Sequence, residues 1–181
     1  MAGALEAVLA QTERLESLVS SLLALTQPFR VERQVLDLPA FLQERIQAHA
    51  AAARKAGVRL TANAPDMPGP RAWFDPTQMA RALDNLLLNA LAHTSDGGVI
   101  ELGAGRGPHG ALRLWVADDG AGVPDELRET LFEPFATART GGSGLGLALV
   151  REIVQAHAGQ VRLAPTARGA RIEMELPWPA S

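Results

Sequence analysis

Three short stretches carry residue types at spacings that can do chemistry. In Arg139–Val150, glycines at 141, 142, 144 and 146 run directly into an apolar segment of helical period. Glycine lets backbone N–H groups approach an anion with no Cβ in the way. The first turn of a helix adds unpaired donors and the positive end of its dipole, so the stretch is a place to hold phosphate. The same pattern also serves as a hinge or packing turn, and no Gly-Lys-Ser/Thr follows it. The second feature is Asn85 and Asn89, four apart along one edge of an apolar helical stripe. Asparagine is a poor helix former. The pair either satisfies nearby backbone groups or presents an amide oxygen to a hard cation, which prefers oxygen ligands. The third is Asp118-Asp119-Gly120-Ala121-Gly122-Val123-Pro124, at the end of an apolar run. Taken alone, it reads as a tight turn.

The surrounding chain supplies elements to position these groups. Asp37-Leu38-Pro39 is a helix start whose helix runs through Phe41, Leu42 and Ile46 to Ala56 and stops at Gly57. Asp75-Pro76 starts a second, with Met79, Ala82, Leu83, Leu86, Leu87, Ala90 and Leu91 on one stripe ending near His93. Val58–Ala62, Ala72–Phe74, Val99–Gly103, Ala111–Ala117, Gln160–Ala164 and Ala170–Leu176 read as strands, the last two joined by a turn at Arg168-Gly169. A short helix is expected from Pro124 through Leu131, a mobile connector over 136–143, and a helix over Gly144–Ala158. His157 reads as a cap at the end of that helix, while His49 and His109 read as surface residues. Gln27–Leu38 reads as a polar connector. Before it, Leu5, Val8, Thr12, Leu15, Val19, Leu22 and Thr26 alternate at spacings of three and four, the seam of a coiled coil or helical hairpin.

Composition narrows the function classes. The 181 residues suffice for one core plus a small appendage, and a net charge of −3 lacks the basic footprint of a nucleic-acid binder. Without cysteine there are neither disulfides nor thiolate metal sites. No apolar run is long enough to span a membrane, so none is expected in this chain.

In combination the motifs become specific. Asp84-Asn85-Leu86-Leu87-Leu88-Asn89-Ala90-Leu91-Ala92-His93-Thr94, then Asp118 to Pro124, then Leu131-Phe132-Glu133-Pro134-Phe135, then Gly142-Ser143-Gly144-Leu145-Gly146-Leu147 resemble the catalytic ATP-binding domain of bacterial sensor histidine kinases. The resemblance implies an α/β (α+β) two-layer sandwich, a mixed and mostly antiparallel sheet with helices on one face. It divides the chain into the second helix of a dimerisation hairpin (1–27), a linker (28–36) and the catalytic domain (37–181). It implies ATP and Mg2+ as ligands. Asn89 would coordinate the magnesium, with Asn85 in support and Arg139 reaching the terminal phosphate. Asp118 would accept a hydrogen bond from the adenine amino group. His93, Gly120, Gly122, Val123 and Phe132, with Gly142, Ser143, Gly144, Leu145, Gly146 and Leu147, would border the nucleotide, the lid phenylalanines Phe132 and Phe135 closing over it.

Relatives that hydrolyse ATP, the gyrases and heat-shock chaperones, carry a glutamate where this chain has Asn85, which cannot act as a general base. The resemblance therefore implies a protein histidine kinase donating phosphate to a histidine on a hairpin helix absent from this chain, with a response regulator as eventual acceptor and a homodimeric, cytoplasmic arrangement in a parent that can be anchored in the inner membrane. An anti-sigma-type serine kinase and a nucleotide-switched, non-catalytic module are the alternatives. Three departures stand out: Ala92 occupies a position where many relatives carry a basic residue; Asp119, in place of asparagine, is expected to add charge beside the ligand; and none of His49, His93, His109 and His157 has the acidic-then-arginine context of the family's phosphoacceptor.

Overall fold

Alternation decides which face of each strand is buried. Ile100, Leu102 and Ala104 on β4 (Val99–Arg106), Leu112, Leu114 and Val116 on β5 (Leu112–Asp118), and Ile172, Met174 and Leu176 on β7 (Ala170–Leu176) all point to one side and form the core with the helices. With β2 (Arg59–Asp66) and β6 (Gln160–Ala164) they make a five-stranded sheet in the order β2-β4-β5-β7-β6. Only β2 and β4 are parallel, because a helical crossover separates them; the remaining pairs are antiparallel. The computed structural model describes residues 30–66, 71–137 and 143–178, so the N-terminal seam, Arg139 and Gly142 lie outside the described residues.

Among the described residues, three longer helices cover the apolar face of the sheet. In α1 (Leu38–Lys55) the Asp37 carboxylate accepts the Ala40 N–H at 2.8 Å, and Gly57 at φ +67° ends the helix. In α2 (Pro76–His93) Asp75 caps the first turn through Thr77 and Gln78. The short α3 (Asp125–Arg128) precedes α4 (Gly146–Ala156), which packs on α2 and buries Leu149, Val150 and Ile153 in the common core.

Several expectations are corrected. The connector Gln27–Leu38 contains a strand, β1 (Gln34–Asp37), paired antiparallel with β3 (Arg71–Phe74) so that Val35 faces Trp73. Four mostly exposed residues carry no alternation to reveal it. The helix expected to reach Leu131 ends at Arg128, after which the chain turns and buries Leu131. His49 is buried rather than superficial: its Nε2 lies 2.9 Å from an Asp84 carboxylate oxygen, and Arg45 reaches the same carboxylate at 3.2 Å, joining α1 to α2.

The opposite face of the sheet is polar and internally paired. The Trp115 indole lies across Gly103, where a Cβ would come within 2.0 Å of the ring, and donates to Glu101 at 2.8 Å. Arg171 stacks on that ring at 4.3 Å and donates to Glu173 at 2.8 Å. Glu173, only 3 % exposed, also accepts from Arg162 at 2.6 Å and faces Arg113 at 3.8 Å. Removing one member of a buried ionic cluster strands the others. Glu173→Ala should therefore lower the unfolding free energy by about 2 kcal/mol in urea titrations, less than for a wholly buried pair because the arginines reach solvent.

Candidate functional site

Beside α2, between the ends of β5 and β7 and the start of α4, lies a continuous cleft with two unlike ends. One end is largely apolar, walled by Val123, Leu127, Leu131 and Leu147 and floored by Asp118 and Ala170. The other is polar, lined by Asn85, Asn89, Ala92, Ser143, Gly144 and Gly146. Asn89, His93, Ala136, Thr137 and Leu147 line both.

At the apolar end the Asp118 carboxylate accepts the Gly120 N–H at 3.0 Å. Burial raises its pKa above the usual carboxylate value, while hydrogen bonds from the Gly120 and Ala170 N–H groups and the nearby His93 pull it down. Backbone crowding holds it in place. A Cβ on Gly120 would come within 2.3 Å of the His93 carbonyl oxygen, and one on Gly169, at φ +70°, within 1.8 Å of the Asp118 carbonyl oxygen. Asp119 turns away from the cleft. Its backbone N–H donates to the Val99 carbonyl at 3.2 Å and its carboxylate accepts the Val99 N–H at 2.9 Å, so its charge is tied into the start of β4.

At the polar end Asn85 donates to the Arg81 carbonyl at 2.7 Å. Its amide oxygen lies 3.0 Å from where a Cβ on Gly146 would sit, so a side chain there would press on it. The start of α4 has no side-chain cap, which leaves first-turn N–H groups available where Gly146 and Leu147 line the cleft. Ser143 Oγ accepts the Leu145 N–H at 3.3 Å. Phe135 donates its N–H to the Gly144 carbonyl at 2.9 Å, and a Cβ on Gly144, at φ +65°, would come within 2.4 Å of the Phe135 backbone.

The structure thus gathers Asn85, Asn89, His93, Asp118, Gly122, Val123, Ser143, Gly144, Gly146 and Leu147 at one cleft. Two residues expected there face elsewhere. The Leu145 side chain is 1 % exposed within the protein, and Phe132 packs on the core while its neighbour Leu131 lines the cleft. Gly120 acts behind the wall, through its bond to Asp118. Gly169, which packs on the Asp118 backbone, and Ala170 and Leu127, which line the cleft, are not among the residues expected from the sequence. The Arg168-Gly169 turn signalled the first two, but only as a connection between strands.

Over residues 74–180 the sequence matches the family described as histidine kinase-, DNA gyrase B-, and HSP90-like ATPase. The chain belongs to that family. Within it, the chain is 34 % identical over 170 residues to the sensor histidine kinase ZraS of Escherichia coli O157:H7, a match covering 92 % of this chain and 36 % of ZraS. Full-length ShkA, solved in complex with AMPPNP, superposes with a TM-score of 0.84 at 26 % identity, covering 95 % of this chain and 37 % of ShkA. The catalytic domain of histidine kinase ThkA gives a TM-score of 0.72 at 27 % identity, covering 81 % of this chain and 96 % of that domain. ThkA has also been solved in complex with the response regulator protein TrrA. This histidine kinase-type ATPase domain has the architecture of a sensor-kinase catalytic domain, and the chain spans about a third of the length of ZraS. Among the described residues no helix is long and apolar enough to cross a membrane.

Proposed function

We propose that the cleft holds Mg·ATP and presents its terminal phosphoryl group to a histidine imidazole on a helix outside this chain. The observation that carries this reading is the pairing of a part-buried carboxylate at the apolar end with amides and free helix N–H groups at the polar end. Adenine fits the first, where the Asp118 carboxylate accepts from its amino group. The phosphates fit the second, bordered by Gly144, Gly146 and Leu147 N–H groups. Asn89 would supply one amide oxygen to magnesium, which takes its other ligands from phosphate and water. That suits a site with no cluster of three or more His, Cys, Asp or Glu able to hold a metal among the described residues.

Asn85 orients rather than activates. Its NH2 is committed to Arg81, so its oxygen can accept a hydrogen bond but the amide cannot take a proton. Water therefore lacks a base at this position and hydrolysis is slow. Transfer forms a bond between an imidazole nitrogen and the terminal phosphorus as the bond to the bridging oxygen breaks and ADP leaves. The protein contributes position and neutralised charge. Arg139 is assigned to the terminal phosphate, a response regulator to the next step, and the cytoplasm, where ATP is available, to the domain.

Calorimetric titration should show ATP binding that requires magnesium and excludes GTP. Labelled ATP should then phosphorylate a supplied histidine-bearing hairpin and leave the chain itself unlabelled. Binding without transfer would replace this reading with a nucleotide-switched module, and transfer to serine with an anti-sigma-type kinase.

A further inference from the structure

Away from the cleft, the two helices that border it are fastened to each other. α2 and α4 run antiparallel: Asn85 meets Gly146 at one end, and Asp75, at the start of α2, meets His157, just past the end of α4, at the other. Asp75 is 6 % exposed and His157 2 %. The Asp75 N–H donates to His157 Nε2 at 3.0 Å, and His157 Nδ1 lies 2.8 Å from the Ile153 carbonyl oxygen. A ring that accepts at one nitrogen and donates at the other is neutral, with its proton on Nδ1. The Asp75 carboxylate is fully engaged as well. One oxygen accepts the Thr77 and Gln78 N–H groups at 3.0 Å, and the other accepts the Glu32 N–H at 2.9 Å. Arg33, the next residue, and Asp75 are the charged groups that act on the imidazole.

We propose that Asp75 and His157 are positioning residues for the nucleotide site: their hydrogen bond sets how far α4 lies along α2, and the Glu32–Arg33 segment entering the domain grips the same joint. The proposal rests on reading the cleft as the Mg·ATP site. A helix is stiff along its axis, so a displacement at His157 is carried about 15 Å to Gly146 and to the Gly144 turn facing Asn89. Protonating His157 sets an N–H against the Asp75 N–H and releases the joint. Burial and Arg33 both oppose that protonation, while the Ile153 carbonyl and Asp75 favour it; burial dominates and the pKa is lowered. The joint therefore holds at neutral pH and opens on acidification.

Two measurements on the chain decide the matter: amide NMR of the nucleotide-free protein and titration with a non-hydrolysable ATP analogue, each between about pH 8 and pH 5. In the parent, the Asp75, Gly144 and Gly146 amides should shift with one common midpoint. Affinity for the analogue should fall about tenfold across it, as expected for a buried donor left without its acceptor. His157→Gln, which keeps an acceptor but does not titrate, should bind as the parent does at the alkaline end and lose this component of the pH profile. His157→Leu should bind weakly throughout. An Asp75 amide that titrates while Gly144 and Gly146 do not, or an unchanged pH profile in His157→Gln, would overturn the proposal. If the parent binds no analogue at any pH, the nucleotide reading fails, while the amide shifts still decide whether the joint moves the cleft. If the leucine variant does not fold, the glutamine variant is sufficient.

Discussion

Asp118→Ala should weaken ATP binding about 10- to 100-fold while leaving the chain folded, because a hydrogen bond to a charged group contributes about 1.5–3 kcal/mol. The magnesium requirement should survive, since the substitution leaves the Asn85 and Asn89 amides lining the polar end in place. Calorimetry on the variant, with circular dichroism to verify folding, measures both. The same carboxyl gives binding an acid limit. Only the ionised form accepts from an adenine amino group without offering a competing proton, and burial raises its pKa above the ordinary value. ATP affinity should fall as pH drops through that raised pKa, a component absent from Asp118→Ala. Its effect on folding has the opposite sign. Because the folded-state pKa exceeds the unfolded one, the native state binds the proton more readily, and this group's contribution to stability rises as pH falls through that window.

Gly169→Ala should be the more destructive substitution for the fold. At φ +70° any L-residue is strained by about 1–2 kcal/mol. Here the new Cβ would also come within 1.8 Å of the Asp118 carbonyl oxygen and 2.8 Å of the Asp119 Cα, both backbone atoms with little freedom to move. A total loss of about 3 kcal/mol corresponds to a fall in Tm of roughly 10 °C for a chain of this size. ATP affinity should fall too, because the displaced strand end carries Asp118. Gly97→Ala is the matched control: it has a similar φ, +80°, with nothing within 4 Å of its Cβ. If the two variants melt together, strain alone accounts for the loss and the crowding argument is wrong.

Gly169 also shows where sequence reading stops. α2 was legible from end to end because its signals are local: Asp75-Pro76 at the start, an apolar stripe, and Asn85 and Asn89 a turn apart. The contact between Gly169 and Asp118 depends on strand pairing between residues far apart in the chain, which no periodicity encodes. The same holds for β1, whose partner lies beyond α1 and β2, and for His49, whose partner Asp84 is on another helix. Contiguous motifs mislead in a different way. Leu145 and Phe132 stand inside site motifs, but as the backbone turns, successive side chains point in different directions, and these two face the core. Asp119 stands beside an anion-binding stretch in sequence, yet its carboxylate caps the start of a strand.

The hydrogen bond from Phe135 to Gly144 joins the two ends of the segment between them. Because that bond already brings Phe135 and Gly144 together, the number of residues between them is nearly decoupled from the stability of the domain. Doubling such a loop adds only about 0.6 kcal/mol of closure entropy. Residues added between Thr137 and Ser143 should therefore leave Asp118, the two asparagines and the start of α4 where they are, and a chain lengthened there should melt close to the parent.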